Sequence, residues 1–139
     1  MTVPAPLIAI NEDSIRLLVH GFYDRVRADP ALGPVFDTAI AAEDWPAHLQ
    51  TMCRFWSSVM LASGRYNGNP VAVHRAVSGI APELFPHWLA LFATTAQALF
   101  VPAEAAKFIA KAQRIAESLR IAVFFRPGQP PDLGSPACA

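Results

Sequence analysis

The chain has 139 residues, enough for one domain that buries roughly two thirds of its unfolded surface and too few for a second. Its formal charges sum to zero and no block of Lys or Arg occurs, so no nucleic acid and no membrane surface is an evident partner. At 53% hydrophobic and 16% charged residues the composition is apolar for a soluble protein, and a buried apolar cofactor would account for the excess.

The opening stretch MTVPAPLIAINEDS has no basic start, long apolar run or small-residue cleavage site, and nowhere do about 18 consecutive apolar residues occur, so a soluble, cytoplasmic protein is expected. From NEDSIRLLVHGFYDRVRADP the spacing predicts a helix over residues 12 to 28, capped by Asn11 or Asp13 and stopped before Pro30. Ile15, Leu18, Val19, Phe22 and Val26 form its buried stripe. PALGPVFDTAI, with two prolines and a glycine around Leu32, Val35 and Phe36, reads as a short piece of helix.

The strongest pattern lies in EDWPAHLQTMCRFWSSVMLAS. Trp45, His48, Leu49, Met52, Phe55, Trp56, Val59 and Met60 share one helical face, with Gln50, Thr51, Arg54, Ser57 and Ser58 opposite. After the turn GRYNGNP comes PVAVHRAVSGIAP, bracketed by prolines and a glycine, in which a single short helical turn displays His74. Two long helices follow. One spans roughly residues 82 to 100 with Leu84, Trp88, Leu91, Phe92, Thr95 and Leu99 inward; the other spans roughly 102 to 126, opened by Pro102. No segment alternates with period two for long enough to be a strand, so the fold class is all-α. The domain is expected over residues 1 to 126, and the Pro-rich tail 127 to 139 is expected to be disordered.

Four histidines are the candidate chemical groups. His20 lies opposite the buried stripe of its helix and reads as solvated. His87, beside Trp88, reads equally as structural or functional. His48, within an apolar stripe, is either a core imidazole bonded to a carbonyl or a ligand. His74 stands apart because its segment is short, bracketed and otherwise aliphatic. Zinc needs three or four ligands, and beyond His48 and His74 the apolar faces offer only Cys53, which points off the His48 stripe. A nucleophilic Cys53 would need a base and an orienting third group, and no Asn or Asp is placed for it. Cys53 and Cys138 form no CxxC pair, which argues against a disulfide framework. A cofactor that brings its own four in-plane nitrogens needs one axial imidazole and an apolar slot, and haem meets that requirement.

Taken together, FYDRVRADPALGPVF, WPAHLQTMCRFW, YNGNPVAVH and FPHWLALF resemble the truncated haemoglobins, specifically their third group, over about residues 12 to 120. All seven glycines are isolated, unlike the paired glycines of the other truncated groups. The resemblance implies a two-over-two helical sandwich around haem b, with His74 as the proximal iron ligand. It implies that Tyr23, His48 and Trp88 are the distal residues that carry the chemistry. By the same resemblance Phe36, Leu49, Met52, Phe55, Tyr66, Val73, Ile80 and Phe85 join His48, His74 and Trp88 around the cofactor, and Trp56 is pocket or core. Dioxygen, nitric oxide and carbon monoxide are the implied ligands, bound at a five-coordinate ferrous iron, with Tyr23 and Trp88 stabilising oxygen. A nitric oxide dioxygenase or peroxide-activating oxidoreductase, served by a separate reductase, is the alternative.

Overall fold

A computed structural model describes residues 5–77 and 79–124. The disordered tail expected over 127–139, and Cys138 within it, lie outside the described residues. Six α-helices follow one another: α1 (Glu12–Ala28), α2 (Leu32–Ala39), α3 (Trp45–Leu61), α4 (Pro70–Arg75), α5 (Leu84–Leu99) and α6 (Pro102–Phe124), with a 3-10 turn at Ala42–Asp44 leading into α3. No named strand occurs among the described residues, so the all-α expectation holds.

Local chemistry explains the boundaries. Asn11 accepts the Ser14 backbone N–H at 2.9 Å while Ser14 Oγ accepts the Asn11 N–H at 2.9 Å, a reciprocal capping box that starts α1. Glu12 and Asp13 in its first turn and Arg25 and Arg27 in its last match the helix dipole. Pro46, Pro70, Pro86 and Pro102 all fall in the first turns of helices, where a missing N–H removes no bond. The end of α3 is less conventional. Ala62 closes it in the left-handed region (φ 54°, ψ 35°), which a residue with a Cβ adopts at a cost of about 1 kcal/mol.

The helices pair as α1 on α3 and α5 on α6, and contact between α1 and α5 joins the pairs. This is the expected two-over-two arrangement. Its centre is aromatic: Phe92 of α5 stacks on Trp56 of α3 (centroids 4.9 Å apart) and on Trp88 one turn earlier (5.6 Å), and Phe22 of α1 meets it edge-on at 5.3 Å. Trp56 in turn lies 5.9 Å from Phe108 of α6, so four long helices share one set of rings. Trp56 is therefore a core residue.

The predicted stripe of α1 is buried in full, together with Tyr23. The polar face predicted for α3 needs a correction. Ser57 is fully buried: its Oγ donates to Glu12 Oε2 at 2.8 Å and lies 2.7 Å from Ser63 Oγ. The reason is that α1 covers that side of α3, so both flanks of the helix are inward. The N-terminal segment is also fastened, since the Leu7 N–H donates to Leu99 O at 2.8 Å and Leu7 O accepts from the Val101 N–H at 3.0 Å.

Gly33 lets α2 begin against the end of α1. A Cβ there would lie 2.9 Å from the Arg27 carbonyl oxygen, a fixed backbone atom, whereas a Cβ on Gly21 would meet only Thr95 and Leu99 side-chain carbons at 3.7 and 3.8 Å. Gly33→Ala is therefore expected to lower the unfolding free energy by about 1 to 3 kcal/mol through overpacking, and Gly21→Ala to be tolerated. Urea midpoints of the two variants check this.

Candidate functional site

Each candidate residue owes its place to a helix. On α4, Asn69 caps the N-terminus by accepting the Ala72 N–H at 3.2 Å, and Pro70 opens the helix. His74 follows Pro70 by one turn, which brings His74 Nδ1 to 2.6 Å from the Pro70 carbonyl oxygen. A carbonyl can only accept, so Nδ1 carries the proton and Nε2 carries the lone pair. This is the tautomer a metal-ligating histidine uses, and the carbonyl makes the ring a better donor to a cation. The short helix is held from outside by Arg75, whose Nε donates to the Ala122 carbonyl of α6 at 3.1 Å.

On α3, His48 Nε2 is buried with no hydrogen-bond partner among the described residues. Burial holds the His48 pKa below its ordinary 6.5, and the charge on His74 adds to the effect. Tyr23 and Trp45 meet the His48 ring edge-on, with centroids 5.0 and 5.4 Å away. Phe36 touches both Tyr23 (5.8 Å) and Trp45 (6.4 Å). Trp88 reaches this group through Phe22, whose ring centroid lies 5.5 Å from that of Trp88 and 5.0 Å from that of Tyr23.

The apolar residues predicted to surround a cofactor have an instructive exposure. Leu49, Met52, Phe55 and Trp88 are half-buried although each packs on the core, and Ile80 and Tyr66 are half-buried too. Val73 on α4 is 60% exposed. Phe55 and Tyr66 pair at 5.2 Å, whereas Phe85 is buried beside Phe124, 6.0 Å away on α6. Apolar side chains left partly open, an imidazole with a free lone pair and a buried imidazole without a partner among the described residues are the groups that a flat apolar cofactor carrying a metal requires. Haem fits these residues. A metal bound by protein alone does not, since no cluster of three His, Cys, Asp or Glu side chains occurs among the described residues.

Of the other histidines, His20 is exposed, as expected, and His87 bonds to Asp29. Cys53 is half-buried against the core, and burial raises its thiol pKa, which suits packing better than nucleophilic attack. Sequence reasoning placed Trp45 on the inner stripe but missed its role as common neighbour of Tyr23 and His48. The Arg27 guanidinium covers that indole, 4.5 Å from its centroid. The available signal was the spacing of Tyr23 and Arg27, one turn apart on α1.

Comparison with known proteins gives concordant results. No family model matches the chain. The curated group 3 truncated haemoglobin ctb of Campylobacter jejuni is 40% identical over 85 residues, 60% of this chain and 67% of that protein. The crystal structure of the group III truncated haemoglobin from Campylobacter jejuni matches with a TM-score of 0.82 and 31% identity, covering 90% of this chain and 100% of that one. No described helix is long and apolar enough to cross a membrane.

Tyr23 is 4% exposed, and its burial raises the phenol pKa well above the ordinary 10.0, with the Cys53 thiol a smaller contributor. The folded chain therefore keeps the phenol neutral where the unfolded chain ionises. The stabilising effect is fully present below pH 10 and is lost as pH rises beyond it. Between pH 9 and pH 11 the parent is expected to lose about 1 kcal/mol relative to Tyr23→Phe, which has no such proton. Denaturant titrations of both proteins across that range test the sign and the size.

Proposed function

The chain belongs to the truncated haemoglobins, in their third group, and from that membership we propose that it holds haem b through His74 and binds diatomic gases, dioxygen foremost. The observation that supports this most directly is the His74 imidazole, which Pro70 fixes in its ligating tautomer, together with the buried Nε2 of His48 that has no partner among the described residues. Haem b, which the absence of CxxCH would leave without covalent links, would supply an iron centre able to take up a small gas.

The protein's part is to hold that centre and to set the polarity beside it. His74 would offer its Nε2 lone pair while its Nδ1–H donates to the Pro70 carbonyl oxygen. Leu49, Met52, Phe55, Tyr66, Val73, Ile80 and Phe85, with Phe36 and Trp88, exclude water and shape the slot. Tyr23 and Trp88 carry the O–H and N–H donors on the distal side. A ligand that gains negative charge on binding, as dioxygen does, is stabilised by such donors, whereas carbon monoxide gains far less. Tyr23 suits the task because burial keeps its proton in place. His48, neutral at pH 7 because of the same burial, acts as a polar gate rather than as a ligand.

His74→Ala is expected to abolish the five-coordinate ferrous histidine spectrum and to weaken haem retention; retention of that spectrum would refute the assignment. A hydrogen bond to a charged partner contributes about 1.5 to 3 kcal/mol, so Tyr23→Phe should accelerate oxygen release about ten- to a hundredfold and carbon monoxide release far less. Stopped-flow release rates decide. A change within about twofold would move the main donor to Trp88 or His48. Nitric oxide is expected in the same position. Joining it to dioxygen as nitrate consumes one electron from a separate reductase, and nitrate formed on mixing the oxygen-loaded protein with nitric oxide would extend the reading to that reaction.

A further inference from the structure

Tyr23 and Trp88 lie on different helices, so their relative position depends on how α1 and α5 are locked together. The two helices run antiparallel, with Phe22 against Phe92 and Trp88, and with Gly21 against Thr95 and Leu99. Apolar contacts of this kind fix the distance between helices more firmly than the sliding of one along the other. Two polar ties oppose sliding. Arg25 Nη1 donates to Thr95 Oγ1 at 3.5 Å, at the long limit of a hydrogen bond. The other is much shorter: His87 Nε2 lies 2.8 Å from each carboxylate oxygen of Asp29.

The two partners differ in how well they are anchored. Asp29 is the C-cap of α1, and its Oδ2 also accepts the N–H groups of Ala31 and Leu32 at 2.9 and 2.8 Å, so the carboxylate is built into the corner between α1 and α2. These bonds, the Leu32 N–H first, hold the Asp29 pKa below its ordinary value. The start of α5 is held differently: Leu84 N–H donates to Ala81 O at 3.1 Å and Phe85 N–H to Pro82 O at 3.2 Å, while Glu83 adds no side-chain cap. His87 thus adds a side-chain bond that ties this first turn to the corner between α1 and α2, and Trp88 is the next residue.

We infer that the Asp29–His87 pair sets where Trp88 stands relative to Tyr23, which makes His87 a positioning residue for the binding of diatomic ligands, acting through Trp88. This rests on the haem reading given above. The stack of Trp88 on Phe92 lies within α5 and moves with it, so the pair acts on the indole by tying the first turn of α5 to the end of α1.

The test compares His87→Ala and His87→Gln in the full chain, with Trp88→Phe as reference. Gln retains an N–H donor at similar reach. Three quantities are read on the carbonmonoxy protein and its oxygen form: the indole N–H resonance of Trp88, identified by its loss in Trp88→Phe; the C–O stretching frequency; and the oxygen release rate. In His87→Ala the Trp88 resonance should shift or broaden while those of Trp45 and Trp56 stay in place. The C–O stretch should move toward that of Trp88→Phe, and oxygen release should rise about two- to fivefold, the range of a partly exposed ion pair. His87→Gln should return all three toward the parent. Parental values of all three in His87→Ala would overturn the inference. Failure of the haem reading shows separately, as a parent protein that gains no Soret band on haem titration, and the Trp88 resonance of that protein still reports whether His87 positions the indole.

Discussion

One ring organises this molecule. Phe92 stacks between Trp56 and Trp88, takes the edge of Phe22, and is linked through Trp56 to Phe108, so α1, α3, α5 and α6 meet at a single aromatic cluster. Each such ring buries a large apolar area, and its neighbours favour stacked or edge-on geometry. The cluster does more than stabilise. Trp88 stacks on Phe92 yet is only half-buried, so it joins the aromatic core to the partly open apolar residues around it.

The candidate site places two imidazoles in apolar surroundings. His74 is satisfied on one nitrogen by Pro70, and His48 is left with a buried nitrogen that no described residue engages. A buried polar atom without a partner costs free energy, and such atoms are uncommon unless they serve a ligand. The half-buried stripe of Leu49, Met52 and Phe55 states the same thing in apolar terms. These residues are as hydrophobic as the core beside them, yet protein covers only part of each.

Much of this was legible in the chain. Prolines at helix starts and the three-and-four spacing marked α1 and both ends of α5 to within two residues, and the start of α6 at Pro102, because those signals are local. The brackets around PVAVHRAVSGIAP pointed to His74 for the same reason. Ser57 was misread because periodicity reports which residues share a face and says nothing about what covers it; α1 lies on the side that looked polar. The Asp29–His87 bond, the Leu7 bridge to Leu99 and Val101, and the Arg27–Trp45 contact escaped notice because each joins residues from separate elements. The distal roles of Tyr23 and Trp88 came from resemblance alone: a buried tyrosine on an apolar stripe looks like any core tyrosine.

The six-residue length of α4 has a further consequence. A helix this short cannot hold itself together in water, because nucleating the first turn costs more than one or two backbone bonds return. Its order is lent to it by the Asn69 cap and by Arg75, bonded to α6. The helix that carries His74 is therefore the natural first unit to open in a local unfolding event, well before the aromatic core gives way. Such an opening is a small, reversible fraying of one turn with the rest of the fold intact, and any group that bound only the closed form would shut that turn by mass action.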